Sequence, residues 1–179
     1  MINTEKLAKV YASMKEESVQ YLVLSEPSAI NYLTGRKINP GERMMVFLLD
    51  AKEEKAEFIL SKLFPQEGEV GCPVTYFDDV DDYVGIVAEK IEKGVKVGVD
   101  KEWPAKFLLR LMELLPENTY INGSYILDHI RMIKDEKEQK LQGYKGLEKN
   151  KDIDEYWLIV DFVYAQNVDL NKTDQFEID

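Results

Sequence analysis

The chain has little of the side-chain chemistry that disulfide-bonded proteins and many enzymes use. Its 179 residues include one cysteine, Cys72, and one histidine, His129. A single cysteine excludes an intrachain disulfide, and a lone histidine with no cysteine beside it lacks the partners of a zinc site. Ser-His-Asp catalysis would have to use His129, and no Gly-x-Ser-x-Gly turn is present to expose a serine nucleophile. We therefore expect His129 to be a surface or partly buried side chain.

Positive charge and long apolar runs are also scarce. Lys and Arg total 23 against 34 Asp and Glu, so the formal net charge is −11. Nucleic-acid phosphates and anionic membranes repel such a chain. No apolar run approaches the ~20 residues of a membrane-spanning helix, the longest being residues 44–49 and 156–160. Together with the polar start Met1–Lys6, these features predict a cytoplasmic protein that binds neither nucleic acid nor membranes.

The glycine patterns that bind phosphates are missing as well. A P-loop needs a Gly-rich turn that ends in Gly-Lys-Ser/Thr, and a dinucleotide-binding fold needs three spaced glycines after its first strand. The nearest stretch, Gly94–Gly98, is typical of a helix end followed by a buried strand. The acidic residues at 78–82 lack the alternate spacing of a calcium loop and fit the start of a helix. The residues alone predict no catalytic centre and no metal site.

What the chain does contain is the pattern of an α/β domain. Apolar residues at helical spacing follow Asn3 and Thr4, which can cap a helix; they are Leu7, Val10, Tyr11 and Met14. Short apolar runs predict strands at residues 19–24, 43–50, 56–61, 74–77, 95–99 and 119–121. The second and third runs predict an antiparallel hairpin, whereas helical segments separate the later ones. The fold class predicted is α/β, with a mixed sheet of about six strands flanked by helices.

The most informative stretch runs from Ser28 to Arg43. Pro27 precedes this stretch, and Gly35 and the pair Pro40-Gly41 lie within it. An apolar strand follows, so we predict a structured loop between two strands. Loops between rigid elements often carry functional residues, although most polar loop residues are solvated turn formers. The polar and aromatic candidates here are Asn31, Tyr32, Thr34 and Arg36.

Three motifs resemble a single family. They are Ala29-Ile30-Asn31-Tyr32-Leu33-Thr34-Gly35, then Pro40-Gly41-Glu42-Arg43 ahead of an apolar strand, and Ile130-Arg131-Met132-Ile133-Lys134-Asp135-Glu136-Lys137-Glu138. Together they resemble the N-terminal domain of Xaa-Pro dipeptidases and aminopeptidase P, the creatinase/prolidase N-terminal domain. The resemblance covers about Met1 to Leu141 and implies a mixed six-stranded, ribonuclease H-like α/β fold. It divides the chain into a domain of residues 1–141 and an atypical tail of residues 142–179.

In this family the chemistry belongs to a following pita-bread domain. There, carboxylates and a histidine bind two metal ions, usually manganese or cobalt, that activate water for attack on an Xaa-Pro bond. Residues 142–179 are too few for that domain and contain no histidine, and Gly143-Tyr144-Lys145-Gly146 departs from the family pattern. The resemblance therefore implies that the catalytic domain is absent, that this chain holds no cofactor and that it is inactive alone.

The resemblance also implies a role for this domain. In full-length relatives it makes much of the dimer contact and leans over the partner's active site, which restricts that site to short substrates. The residues expected nearest a substrate or a dimer partner are Tyr32, Arg36 and Arg43, because arginine offers a fork of donors and tyrosine an amphipathic ring. The alternative is local: Tyr32 packs against the sheet and Arg43 pairs with a nearby acid. Ile30 and Leu33 are expected in the core.

Two functions follow from these expectations. The first is a non-catalytic domain of a metal-dependent Xaa-Pro dipeptidase or aminopeptidase P-like protein, which serves dimerisation and substrate gating. Its partners would be a second copy in a homodimer and, in full-length relatives, a C-terminal catalytic domain. The second is a stand-alone protein-interaction module that uses the same fold and engages its partner through the aromatic tail around Trp157.

Overall fold

A central sheet organises residues 2–132, which are the residues that the computed structural model describes. Its strands are β1 (Tyr21–Leu24), β2 (Met45–Asp50), β3 (Lys55–Ser61), β4 (Val74–Phe77), β5 (Lys96–Val99) and β6 (Thr119–Asn122). They lie in the order β4-β3-β2-β1-β5-β6. Strand β2 runs antiparallel to both β1 and β3, and the other neighbours are parallel. The predicted mixed six-stranded sheet and its hairpin are confirmed.

Helices cover both faces of this sheet. They are α1 (Thr4–Glu16), α2 (Pro27–Thr34), α3 (Tyr83–Ala88), α4 (Ala105–Leu114) and α5 (Ser124–Met132). One core lies beneath α1, α2 and α5, and a second core lies on the other face beneath α3 and α4. None of the helices within residues 2–132 combines the length and the apolar character that a membrane span requires.

The central strand β1 contributes to both cores. Leu22 and Leu24 belong to the core under α1, α2 and α5, whereas Tyr21 and Val23 belong to the core under α3 and α4. All four side chains are buried, because successive residues of a strand point to opposite faces and both faces are covered. This explains why the strand reads as an unbroken apolar run.

Helix α1 forms as its sequence predicts. The side chain of Asn3 caps it by accepting a 3.0 Å hydrogen bond from the backbone N–H of Lys6. Its apolar stripe is buried against the sheet and consists of Leu7, Val10, Tyr11 and Met14. Burial of this stripe holds helix α1 against the sheet.

The first part of the segment predicted to be a loop, residues 28–34, belongs instead to helix α2, so the prediction is wrong there, whereas residues 35–43 do form a loop ahead of β2. Pro27 occupies the first turn of α2, and Gly35 ends it in the left-handed region, with φ at 68°. Proline at the start and glycine just past the end are typical of a helix. The same two residues are also typical of a turn. The overlooked evidence is the spacing of the buried residues Ala29, Ile30, Leu33 and Thr34, which share one helix face. Ile30 and Leu33 are fully buried, so their predicted place in the core is confirmed.

Two glycines allow α5 to begin directly against the sheet. A Cβ atom on Gly123 would lie 2.5 Å from Cδ1 of Leu22 and 2.8 Å from Cα of Gly98. A Cβ atom on Gly98 would lie 2.9 Å from Cδ1 of Leu22. The separation from the backbone of Gly98 leaves no room for a side chain at position 123, so the end of β6 can approach β5 this closely only because that residue is glycine, whereas at position 98 the nearest atom belongs to a flexible side chain.

Several predictions concern residues outside the described range. They are the domain boundary at residue 141, the atypical tail of residues 142–179 with Trp157, and the part of the third motif that follows Met132. These remain predictions.

Candidate functional site

After β1 and after β5 the chain turns to opposite faces of the sheet, which opens a crevice at the carboxyl ends of these two strands. The two strands are parallel neighbours, so their carboxyl ends meet at the same edge. Helix α2 follows β1 onto one face, and α4 follows β5 onto the other. Because β2 is antiparallel to β1, the segment ahead of β2 reaches this edge too. In open α/β sheets, such a switch point is where ligands bind.

Asp100, the first residue after β5, ties the walls of this crevice together. Its buried carboxylate accepts hydrogen bonds at Oδ2 from the backbone N–H of Ser25, at 3.0 Å, and of Glu26, at 2.9 Å. Its Oδ1 accepts from the backbone N–H of Glu102 at 3.0 Å and from the Ser124 hydroxyl at 3.4 Å. One carboxylate therefore links the segments that lead into α2, α4 and α5.

The crevice contains a cleft of about 340 Å³. Its walls come from residues 25–27 after β1, residues 102–104 after β5, Phe107 of α4, and the segment ahead of β2. Two buried groups in these walls, the Ser25 hydroxyl and the Trp103 indole N–H, have no hydrogen-bond partner within the described residues. The cleft also bears charges of both signs, from Glu26, Glu102 and Arg43.

Arg43 lies at the rim of this cleft. Its Nε and Nη2 atoms are 3.4 Å and 3.3 Å from the two carboxylate oxygens of Asp79. The Arg43 side chain is 43% exposed and that of Asp79 60% exposed. An ion pair this exposed contributes only about 0–1 kcal/mol, so the Arg43 guanidinium can exchange Asp79 for another partner at little cost.

Arg36 holds a neighbouring loop. Its Nη1 donates to the side-chain oxygen of Gln66 and to the carbonyl of Glu67, both at 3.2 Å. Its Nη2 donates to the carbonyl of Glu69 at 2.9 Å. Both Nη atoms of the fork that suggested ligand binding are thus engaged with the chain itself and fix the residues after α2 against the loop of residues 66–69, while the buried Nε has no hydrogen-bond partner within the described residues.

Tyr32 lies on α2 between two cationic side chains. The Lys6 ammonium is 3.5 Å from the centre of its ring, and the Arg131 guanidinium is 6.0 Å away. Arg131 also pairs with Glu26 at 3.2 Å and donates to the Ser28 hydroxyl at 2.9 Å. The Tyr32 ring is half-buried against the core and lies between α1 and α5.

Comparison with known families identifies this architecture. The sequence model of the creatinase/prolidase N-terminal domain family matches residues 6–133. The chain belongs to the creatinase/prolidase N-terminal domain family. A proline dipeptidase from Streptococcus pneumoniae has a similar solved structure, with a TM-score of 0.63 and 23% identity, over 72% of this chain and 98% of that chain.

Two other solved structures have the same fold. A dipeptidase from Pyrococcus horikoshii OT3 matches with a TM-score of 0.68 and 24% identity, over 86% of this chain and 44% of that chain. The creatinase/prolidase N-terminal domain of an X-Pro dipeptidase from Streptococcus pyogenes matches with a TM-score of 0.60 and 14% identity, over 73% of this chain and all of that chain. This chain thus spans less than half of the Pyrococcus dipeptidase. No curated protein sequence matches it.

The creatinase/prolidase N-terminal domain does not gather the three predicted contact residues into one site. Arg43 lines the cleft, whereas Arg36 clamps the loop of residues 66–69 and Tyr32 packs on α2. Sequence reasoning overlooked Asp100 and Trp103. An aspartate directly after a buried strand and a Trp-Pro pair ahead of a helix were the available signals, but the contacts of both residues depend on the folded chain.

The remaining reactive side chains of this domain are dispersed. No group of three or more His, Cys, Asp or Glu residues within 2–132 is placed to hold a metal ion. Burial raises the pKa of the half-buried Cys72 thiol, and His129 is exposed on α5 beside Tyr125. In the acidic run, Asp82 caps α3 by accepting from the backbone N–H of Gly85 at 3.1 Å, which lowers the pKa of that carboxyl.

Proposed function

We propose that this domain is the non-catalytic N-terminal part of a metal-dependent Xaa-Pro dipeptidase or aminopeptidase P-like protein, where it serves dimerisation and substrate gating. Manganese or cobalt would belong to a C-terminal catalytic domain. We also propose a cytoplasmic location, since the chain has a single cysteine. The observation that carries the gating role is the anchored segment of residues 35–43, which presents Arg43 at the edge of the sheet.

A gate must keep its shape while it faces a substrate, and this segment is anchored along its length. Gly35 closes α2 through a 2.7 Å bond from its N–H to the carbonyl of Asn31. Arg36 is bound to the loop of residues 66–69, and Ile38 is buried in the core. Beyond these anchors Arg43 projects with an exposed guanidinium. A fixed backbone that carries an exposed cation can exclude long substrates and still attract a substrate carboxylate.

The non-catalytic role and the dimer are tested on the purified full chain. We expect no hydrolysis of Xaa-Pro dipeptides in the presence of Mn²⁺, and a sedimentation coefficient that corresponds to a dimer. Turnover that scales with protein concentration would contradict the first expectation. A monomer at all concentrations would contradict the second.

Gating is tested in a chimera in which residues 1–132 replace the matching part of the Pyrococcus horikoshii dipeptidase. Substituting Arg43→Ala should raise the rate on a tripeptide relative to the rate on a dipeptide. Arg110→Ala is the matched control, because Arg110 is 45% exposed and forms a similar ion pair, at 3.1 Å with Asp82. An equal ratio of the tripeptide rate to the dipeptide rate in both variants would contradict a role of Arg43 in gating.

A further inference from the structure

We propose that strand β6 and helix α4 form the dimer interface of this chain, in which β6 pairs antiparallel with β6 of a second copy about a two-fold axis at Ile121. The two sheets would join into one continuous sheet, with the two copies of α4 side by side on one face. This inference rests on the proposed dimerisation and names the surface that carries it. The gating role does not depend on it.

Strand β6 leaves one of its edges available to a further strand. It lies at the end of the sheet and pairs only with β5 among the residues that the structure describes. Proteins commonly block such edges with charged side chains or proline, because unpaired backbone groups attract other strands. The four residues of β6, Thr-Tyr-Ile-Asn, include neither. The edge is therefore suited to pairing.

The hydrogen bonds between β6 and the β5 segment determine which backbone groups face outward. The N–H groups of Thr119 and Gly123 donate to carbonyl groups at either end of β5, at 3.0 Å and 2.8 Å. Because successive N–H groups of a strand point to alternate sides, those of Tyr120 and Asn122 point away from β5. In an antiparallel pair, two opposite residues can exchange both of their hydrogen bonds. A two-fold axis at Ile121 places Tyr120 opposite Asn122 of the second copy, so every outward group is used.

Helix α4 adds an apolar surface beside this edge, because it connects β5 to β6. Its Arg110 pairs with Asp82 at the start of α3, at 3.1 Å, so that side of α4 faces α3. At about 100° per residue, Leu108 and Met112 both lie about 160° from Arg110, on the side away from α3. Leu108 is half-buried and Met112 is 42% exposed. This apolar side of the helix therefore lies towards the free edge of the sheet.

A second copy of the chain covers that apolar side. Neighbouring strands are about 4.8 Å apart, and a crossover helix packs on the strands that it connects. Pairing of β6 with its own copy would bring the two α4 helices to roughly the 8–10 Å spacing of packed helices. A foreign strand would leave Met112 exposed, and strand pairing alone is marginal in water. At the opposite edge, β4 follows β3 without a helix between them, so pairing there adds no such contact.

Cysteine cross-linking of the full chain tests the two-fold axis. The background is Cys72→Ser, which removes the single native cysteine. Ile121→Cys would face its own copy at a site where the Cα atoms are about 4.5 Å apart, which suits a disulfide. We expect a disulfide-linked dimer after mild oxidation, measured by non-reducing gel electrophoresis.

Thr119→Cys is the matched control for the cross-link. Thr119 is exposed in the same strand, but the two-fold axis places it opposite Gly123 of the second copy. The two Thr119 positions would then lie about 13 Å apart, too far for a disulfide. Cross-linking of Thr119→Cys as efficient as that of Ile121→Cys would overturn the register.

Met112→Glu tests the helix contact, in sedimentation velocity measurements over a range of protein concentrations. We expect the dissociation constant of the dimer to rise at least about tenfold. Leu63→Glu is the control, because Leu63 is 60% exposed but lies after β3, and it should leave the constant unchanged.

The outcomes separate this interface from dimerisation itself. A dimer of folded Ile121→Cys that does not cross-link would overturn the interface and leave the proposed dimerisation intact, and so would equal effects of Met112→Glu and Leu63→Glu. A native chain that stays monomeric at all concentrations would overturn both, and would leave the β6 edge to a strand of another protein.

Discussion

The backbone N–H of Ser25 donates a 3.0 Å hydrogen bond to Oδ2 of Asp100, although the two residues lie 75 positions apart. This bond joins the end of β1 to the end of β5 at the edge where the cleft opens. Since the backbone N–H groups of Glu26 and Glu102 donate to the same carboxylate, the cleft walls depend on one buried side chain.

Asp100→Ala should lower the free energy of unfolding by about 3 kcal/mol, because it leaves several buried donors without an acceptor. Asp100→Asn should cost less, since one carbonyl oxygen remains. Urea denaturation monitored by circular dichroism measures both. Asp79→Ala serves as the control and should cost less than about 1 kcal/mol, because its ion pair is exposed. Equal losses at positions 100 and 79 would contradict the role of Asp100.

Gly123→Ala should destabilise the domain by about 2–3 kcal/mol, because its new methyl group would clash with backbone atoms of Gly98 that have no room to move. Gly98→Ala should cost less, because its nearest contact is the end of the flexible Leu22 side chain. Thermal unfolding of the two variants gives the order. The reverse order would show that the contact between β5 and the start of α5 is looser than described.

The buried Tyr11 and the half-buried Tyr120 should respond oppositely to loss of their hydroxyl groups. Tyr11 has no hydrogen-bond partner for its hydroxyl within residues 2–132, so Tyr11→Phe should be neutral or stabilising by up to about 1 kcal/mol. The Tyr120 hydroxyl reaches the carbonyl of Leu115 at 3.0 Å, and Tyr120→Phe should cost about 1 kcal/mol. Urea denaturation of both variants supplies the comparison, in which each tyrosine is the control for the other.

The cap of α3 should make a contribution that depends on pH. The N–H of Gly85 and then Arg110 lower the pKa of Asp82 in the folded chain. Its stabilisation is therefore present above the unfolded pKa of about 3.9 and is lost as the pH falls through the lower folded value. Asp82→Ala should cost about 1 kcal/mol at pH 7.

The same substitution should cost less in strong acid, where the carboxyl is protonated in both states and offers Gly85 only a neutral oxygen acceptor. Asp82→Asn, which keeps an oxygen acceptor for Gly85 but no charge, should show a smaller loss with the same pH dependence, because both variants remove the same titrating carboxyl. Urea denaturation across the acid range measures all three proteins. A loss in Asp82→Ala that did not vary with pH would rule out the charge of the cap as its cause.

Much of the fold could be predicted because its elements are locally encoded. The unbroken apolar runs of β1 and β2 indicated buried strands, and the polar residues between β2 and β3 indicated a hairpin. Helix α2 was missed because Pro27 and Gly35 satisfy the requirements of a turn as well as those of a helix. Only the burial of the face with Ile30 and Leu33 distinguishes the two.

The site was harder to predict because it consists of long-range contacts. Arg36 and Tyr32 looked available for ligands, and folding engages both with other parts of the chain. Asp100 looked like an ordinary residue after a strand, yet its partners come from residues 25, 26, 102 and 124. A sequence pattern records which groups a segment carries, but not which of them meet.

The placement of β1 has a consequence for the order in which the domain comes apart. Leu22 and Leu24 belong to one core while Tyr21 and Val23 belong to the other, so neither layer can assemble or dissolve without this strand. Its amides should open only when the whole domain unfolds, and should be the last to exchange with deuterated solvent. The edge strand β4 can separate while β1 stays closed, so we expect it to exchange first.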